Sequence, residues 1–385
     1  MALEGQATAA HTVDRLVTDL EAELDPLVDR IVERIREEIP DFRRLPVGTL
    51  GGAVRGNVHR ALTALRELRP PTPAELDRSA AVGRERAEQG LTVDAVLHAY
   101  RISVTGVWSR FGELARERGA DVTAVLAFSE TLWLWADAVM DVVAAAHREV
   151  ELQRTREEQQ RRDAFVFAAL LGTSDSAELR RDGASYDVDP ERCYVAFRAR
   201  ALDGRALSRR VGLGLAGDHG LVAALDHDLI GLAPGRPRPV AEVCLGVGPP
   251  ARLAELPGGF ALAGRALQTA LAFGEAGVFS LGDLSIRPAI LDDVALGDAF
   301  VGRYLEPLAA LGRLGDELET TLRTWFDCGM HIEETARALH VHANTLRHRL
   351  RRFEETTDAS LRRAPDLIEL WWALERRRLD GRAGP

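Results

Sequence analysis

The chain contains no lysine: all 49 of its basic residues are arginine. That excludes Schiff-base chemistry and the lysine of a Walker-type phosphate loop. Cysteine is scarce. Cys193, Cys244 and Cys328 lie far apart with no paired spacing, which leaves no disulfide framework or zinc ribbon and fits a reducing cytoplasm. An overall basic surplus is missing too. The formal net charge is −10, whereas a protein that coats nucleic acid along its length is basic, so any nucleic-acid contact must be local. No basic-then-apolar run opens the chain, so no signal peptide is expected. The most apolar stretch, 122–146, carries Glu130, Asp137 and Asp141. Carboxylates are costly inside a bilayer, and Asp137 and Asp141 share one helix face. The stretch reads as an amphipathic helix of a soluble bundle.

What is present is enough for more than one domain: 385 residues, 46% hydrophobic and 28% charged, the composition of a folded globular chain. Residues 12–148 show apolar spacing of helical period, as in "LDPLVDRIVERIREEI". Breaks are expected at Pro40, Gly51-Gly52, the "RPPTP" run at 69–73, Gly90 and Gly119. The pattern predicts a helical bundle, a sensor or dimerisation domain. Residues 149–163, "EVELQRTREEQQRRD", are nearly all polar helix formers, and 149–172 reads as a helical connector. After about residue 185 the texture turns to strands: "CYVAFRAR" at 193–200, two short strands in "GLVAALDHDLIGLAP" at 220–234, "VAEVCLGVG" at 240–248 and "VFSL" at 278–281, with a helix at 260–277. An α/β domain over 185–290 follows. A helical C-terminal domain over 300–380 completes the chain.

Chemistry concentrates in residues 318–361. A helix over about 318–327 should stop near Gly329, a short one follow at 332–339, and a third run over 343–355 after a turn at His340–His342. That is the spacing of a helix-turn-helix. On the third helix Leu346, Leu350 and Phe353 share one face, with Ala343 beside them, to pack on Ala336 and Leu339. The other face carries Asn344, His348 and Arg351, flanked by Thr345, Arg347 and Arg352. Arg349 falls at the apolar edge, in a position to pair with a carboxylate. Five arginines and no acid lie between 337 and 352, the local basic patch that an acidic chain needs to touch DNA. The bland alternative is a solvated basic helix face. His340, His342 and His348 have no partnering Cys or carboxylate at metal spacing, and no nucleophile or orienting acid stands near them. No metal or cofactor is expected.

"TARALHVHANTLRHRL" resembles the C-terminal helix-turn-helix of the PucR/CdaR-type bacterial transcription regulators. The family signature is close to H-x-N-T-(L/V)-x-Y-R-(L/I). His342, Asn344, Thr345, Leu346, Arg349 and Leu350 stand at the matching positions; His348 replaces a frequent Tyr and Ala343 a frequent Arg. Leu361, Pro365 and "LIELWWALE" at 367–375 resemble the closing segment, whose helix would bury Leu367, Leu370, Trp371 and Leu374 against the helix-turn-helix. The resemblance implies a degenerate GGDEF-like middle domain. The catalytic GGDEF or GGEEF turn is missing, "LDHDL" at 225–229 stands in its hairpin with Asp226 and Asp228 read as turn formers rather than metal ligands, and no cyclase activity is expected. "RAEQGLTVDAVLHAYRIS" at 86–103 resembles the RsbR-type, globin-like sensor domains.

The expected molecule is therefore multidomain and mainly α, with a helical bundle, a central α/β domain and a C-terminal helix-turn-helix bundle. It would be a cytoplasmic, signal-responsive DNA-binding regulator and no enzyme. Its DNA-binding residues would be His342, Asn344, Thr345, Arg347, His348, Arg351 and Arg352. Its partners would be a double-stranded operator, at least one further copy of itself and an unknown small-molecule effector, with no membrane. The alternative is a protein–protein stress-signalling regulator acting through the N-terminal bundle. Tyr100, Arg101, Trp133 and Trp135 are candidate pocket residues there, more simply core packing. His98 is the bundle histidine of interest, beside His11 and His59. "GLGLAG" at 212–217 is a weak phosphate-loop look-alike.

Overall fold

The structure, a computed structural model, describes residues 2–382. The chain forms two compact units, residues 1–159 and 160–385.

The first unit is all helical: α1 (Ala2–Ala22), α2 (Leu24–Glu38), α3 (Val47–Arg66), α4 (Pro73–Glu88), α5 (Val93–Glu117) and the first three-quarters of α6 (Val122–Leu171). Apolar residues at helical spacing form its core, among them Leu16, Leu20, Ile31, Ile35, Leu62, Phe111, Phe128 and Trp135. Four of the five expected breaks are present. Pro40 opens a 3-10 turn after α2, and Gly90 and Gly119 take positive φ after α4 and α5. The "RPPTP" run starts α4 with a reciprocal cap: Thr72 accepts from the Glu75 amide while the Glu75 carboxylate accepts from the Thr72 amide. Gly51-Gly52 do not break anything. They lie inside α3, where burial of Leu50, Val54 and Val58 holds the helix despite two residues of poor propensity.

α6 is one helix of 50 residues, long and apolar enough over part of its length to pass for a membrane span. Its apolar part is two-sided. Phe128, Leu132, Trp135, Val139 and Val143 are buried in the bundle, while Glu130, Asp137 and Asp141 lie on the exposed side. The polar stretch after residue 149 is exposed through most of its length, and burial resumes at Phe165 and Val166.

The second unit contains a five-stranded sheet in the order β2-β3-β1-β4-β5. α7 (Ser176–Ala184) precedes β1 (Tyr194–Ala201). α8 (Arg209–Ala216), β2 (Leu221–Leu225), β3 (Asp228–Ala233), β4 (Val243–Ala251), α9 (Leu256–Phe273) and β5 (Gly277–Phe279) follow. β1 pairs antiparallel with β3 and β4, and β5 runs parallel to β4. α9 starts earlier than its periodicity suggests, because Leu256 already packs inward, and it stops at Gly274 in the left-handed region. Gly246 and Gly248 on β4 let α9 approach. A Cβ on Gly246 would stand 1.9 Å from the Ala263 carbonyl oxygen, a position closed to any other residue. Two sequence readings change. "GLGLAG" is the body of α8, not a loop, with Leu215 and Ala216 buried. Asp228 is not a turn former. It begins β3, is 2% exposed, and accepts from Arg198 at 2.5 Å and from Arg200. Only Asp226 turns the hairpin, at φ 54°.

The chain ends in helices: α10 (Arg287–Asp292), α11 (Val294–Tyr304), α12 (Glu306–Ala309), α13 (Arg313–Asp327), α14 (Ile332–Ala338), α15 (Ala343–Thr357) and α16 (Ala364–Arg382). α13 begins before the predicted 318 because Gly315 permits close contact with the Leu308 carbonyl and Leu318 and Leu322 bury along the same face.

Candidate nucleic-acid interface

The end of the chain is built around one core. Leu318, Leu322 and Trp325 of α13, Ala336 of α14, Leu346, Leu350 and Phe353 of α15, and Leu370 and Leu374 of α16 meet in it. Ala336 is small enough for α14 to cross close over α15. Gly329, at φ 60°, stops the chain after α13. Glu333 and Glu334 sit in the first turn of α14, where the helix dipole favours them. Leu367 packs against the same core, but Trp371 does not. It lies against the separate cluster of Phe273, Ile290 and Leu379, a partner that helical spacing alone does not reveal.

The turn between α14 and α15 depends on two histidines. His340 takes φ 52°, the left-handed position that reverses the chain. His342 caps α15: its Nδ1 accepts from the Asn344 amide at 3.2 Å, in the place usually held by Ser, Thr, Asp or Asn. His340 therefore has a backbone duty that the sequence pattern does not show.

The outward face of α15 exposes Asn344, Thr345, Arg347, His348, Arg351 and Arg352 together. Several of these side chains are already engaged. Arg347 donates to the Asn344 Oδ1 at 3.0 Å and stands 3.5 Å from Glu333. Arg352 stands 3.4 Å from Glu355. Both pairs are solvent-exposed, so they are weak and exchangeable. Arg351 and His348 have no side-chain partner among the described residues. Arg349 points the other way: it donates to Glu317 at 2.8 Å and to the Thr321 hydroxyl at 3.3 Å, tying α15 to α13. Arg323 of α13 donates to the Leu374 carbonyl at 3.0 Å, and Arg377 of α16 pairs with Glu319 at 2.9 Å. The outward face thus stands on a helix fixed from behind by apolar packing and ion pairs. It presents an amide, an imidazole and guanidinium groups in one surface, donors suited to base edges and phosphates. Among the described residues no group of three or more His, Cys, Asp or Glu side chains gathers to hold a metal.

In the first unit the four pocket candidates separate. Tyr100 is buried beside a cavity, Trp135 is core, and Arg101 and Trp133 are exposed. His98 is a surface residue 3.4 Å from Glu38. The buried histidine is His147, fully enclosed in α6, with Nε2 2.8 Å from the Leu91 carbonyl. Its partner is remote in sequence, which is why no local pattern singles it out.

Comparison with known proteins places both ends. The model of the RsbT co-antagonist protein rsbRD N-terminal domain matches residues 25–162, and that of the PucR C-terminal helix-turn-helix domain matches residues 318–375. The carbohydrate diacid regulator of Escherichia coli (strain K12) is 32% identical over 126 residues, which are 31% of this chain and 32% of that protein. The uncharacterized protein YsfB of Bacillus subtilis (strain 168) is 38% identical over 58 residues, 15% of this chain and 16% of that protein. The chain therefore spans a third or less of the length of the curated relatives it matches. A crystal structure of a regulator of polyketide synthase expression from Bifidobacterium adolescentis covers 58% of this chain and 99% of its own, at 20% identity and a TM-score of 0.27, too loose a superposition to bear on the fold.

Proposed function

We propose that this chain, a PucR/CdaR-type regulator joining an RsbRD-type N-terminal domain to a PucR-type helix-turn-helix domain, binds specific DNA and controls transcription in the cytoplasm. The observation that carries the reading is the two-sidedness of α15. Leu346, Leu350, Phe353 and Arg349 are spent on the domain, while Asn344, His348 and Arg351 face outward beside Arg347 and Arg352. Asn344 and His348 would read base edges in the major groove. Arg347, Arg351 and Arg352 would hold phosphates, with His342 and Thr345 at the helix start close to the backbone. Ala343, small where the resembled family often has arginine, offers no such contact. The central α/β domain is read as a degenerate GGDEF-like spacer, because the hairpin at 225–229 uses its aspartate in a buried ion pair with Arg198 and Arg200. One helix-turn-helix covers little surface, so the active form is at least a dimer on paired half-sites.

Titration of the full chain onto duplex DNA with Asn344→Ala and Arg351→Ala tests the reading. Asn344→Ala should relax sequence preference. Arg351→Ala should weaken binding to all sequences and reduce the salt slope by about one. Unchanged binding in both would remove this face from the DNA.

A further inference from the structure

On its outward side α6 leaves large apolar side chains uncovered. Leu134 is 66% exposed, Leu152 58% and Trp133 49%, while Leu132, Trp135, Val139 and Val143 on the opposite side are buried in the bundle. Single apolar residues on a surface are ordinary, but these belong to one stripe. At 100° per residue Glu130, Leu134, Asp137, Asp141, Arg148 and Leu152 fall within a sector of about 60°, with Trp133 and Arg156 at its two borders. All of them are exposed. From residue 149 the helix leaves the bundle and is exposed on nearly every side, so packing within its own chain supports it little.

The charges of the stripe are idle. Glu130, Asp137, Asp141, Arg148 and Arg156 make no ion pair among the described residues. Neighbours off the stripe are engaged: Arg154 donates to the Ala87 and Glu88 carbonyls at 2.9 and 3.0 Å, and Glu151 stands 3.7 Å from the His147 Nδ1. The idle charges are also ordered. The acids come first along the stripe and the cations last.

We propose that this stripe is the contact with a second copy of the chain, the two α6 helices packing antiparallel about a two-fold axis at the level of Val143. Leu134 and Leu152 are equidistant from Val143 in sequence, as are Glu130 and Arg156. Antiparallel pairing therefore sets Leu134 of one copy on Leu152 of the other, with Trp133 beside them, and Glu130 on Arg156. Arg148 of each copy enters between Asp137 and Asp141 of the other, one helical turn apart. A parallel pair would instead set every acid against its own copy. The contact is self-complementary and closes at two subunits. The inference extends the dimer of the proposed function, rests on it only for the expectation that copies pair, and names the face and direction of pairing.

Sedimentation equilibrium of the full chain tests the pairing. The native chain should be a dimer at micromolar concentration. Arg148→Glu, and separately Asp137→Arg with Asp141→Arg, should each weaken self-association at least about tenfold, because every reversal occurs twice in a two-fold contact. The three positions are exposed, so circular dichroism should show the helices intact. Mixing the two variant chains should restore the dimer, since the reversed charges then face one another. A monomeric native chain, a dimer indifferent to both variants, or variants that fail to associate when mixed would overturn the pairing. A dimer that persists in both variants leaves the DNA reading standing; loss of sequence-specific binding with the dimer intact counts against that reading alone.

Discussion

Arginine does every cationic task in this protein, and its residues differ by what they already hold. On α15, Arg349 is bonded to Glu317 and Thr321 and faces inward, whereas Arg351 is exposed and unpartnered among the described residues. Arg349→Met should therefore lower the stability of the C-terminal domain by about 1 kcal/mol and leave the salt slope of DNA binding unchanged, read by denaturant unfolding and by anisotropy. Glu75 is a second residue with a defined duty. Arg69, first, and the Thr72 amide hold its carboxyl down to about 2, below its ordinary 4.5. The stabilisation is complete above the unfolded value and is lost as pH falls from about 4.5 to 2. Glu75→Gln should flatten the acid limb of thermal stability across that window; an unchanged acid limb would contradict it. The inward set Leu346, Leu350 and Phe353 was legible in the sequence because a helix repeats its own face. Asp228 and His147 were not. Their partners, Arg198, Arg200 and the Leu91 carbonyl, come from other elements that only the fold brings near.

Among the elements, period and punctuation located the three helices of the helix-turn-helix to within a few residues. Both ends of the middle helix follow local rules: acids in its first turn and a left-handed residue after it. That residue, His340, reads as surplus in the sequence yet reverses the chain at φ 52°. Glycine adopts this conformation without a Cβ clash. His340→Gly should keep the domain folded and raise its melting temperature, by up to about 1 kcal/mol of stability; a clear loss would show that the imidazole itself holds the turn. Gly51-Gly52 misled in the opposite sense, since tertiary burial of α3 overrides weak propensity. Short elements such as α7 and α8 carry too few periods to be read at all.

At the scale of the whole molecule, an acidic chain binds DNA only if its basic residues are gathered and aimed. The composition shows the first need, and the proposed reading assigns the second to the outward face of α15. The sequence pattern also separated the helical, mixed and helical regions, because a change of period from helix to strand needs no tertiary knowledge. It could not show the cavity beside Tyr100 in the N-terminal bundle, which is assembled from four helices.

The most direct test selects binding sites from a randomised duplex library with the full chain, then repeats the selection with Asn344→Ala. The native chain should enrich one motif, repeated with two-fold symmetry and half-sites about one helical turn apart. The variant should retain salt-sensitive binding and lose the motif. No enriched motif with the native chain, or the same motif with Asn344→Ala, would contradict DNA reading by this face of α15.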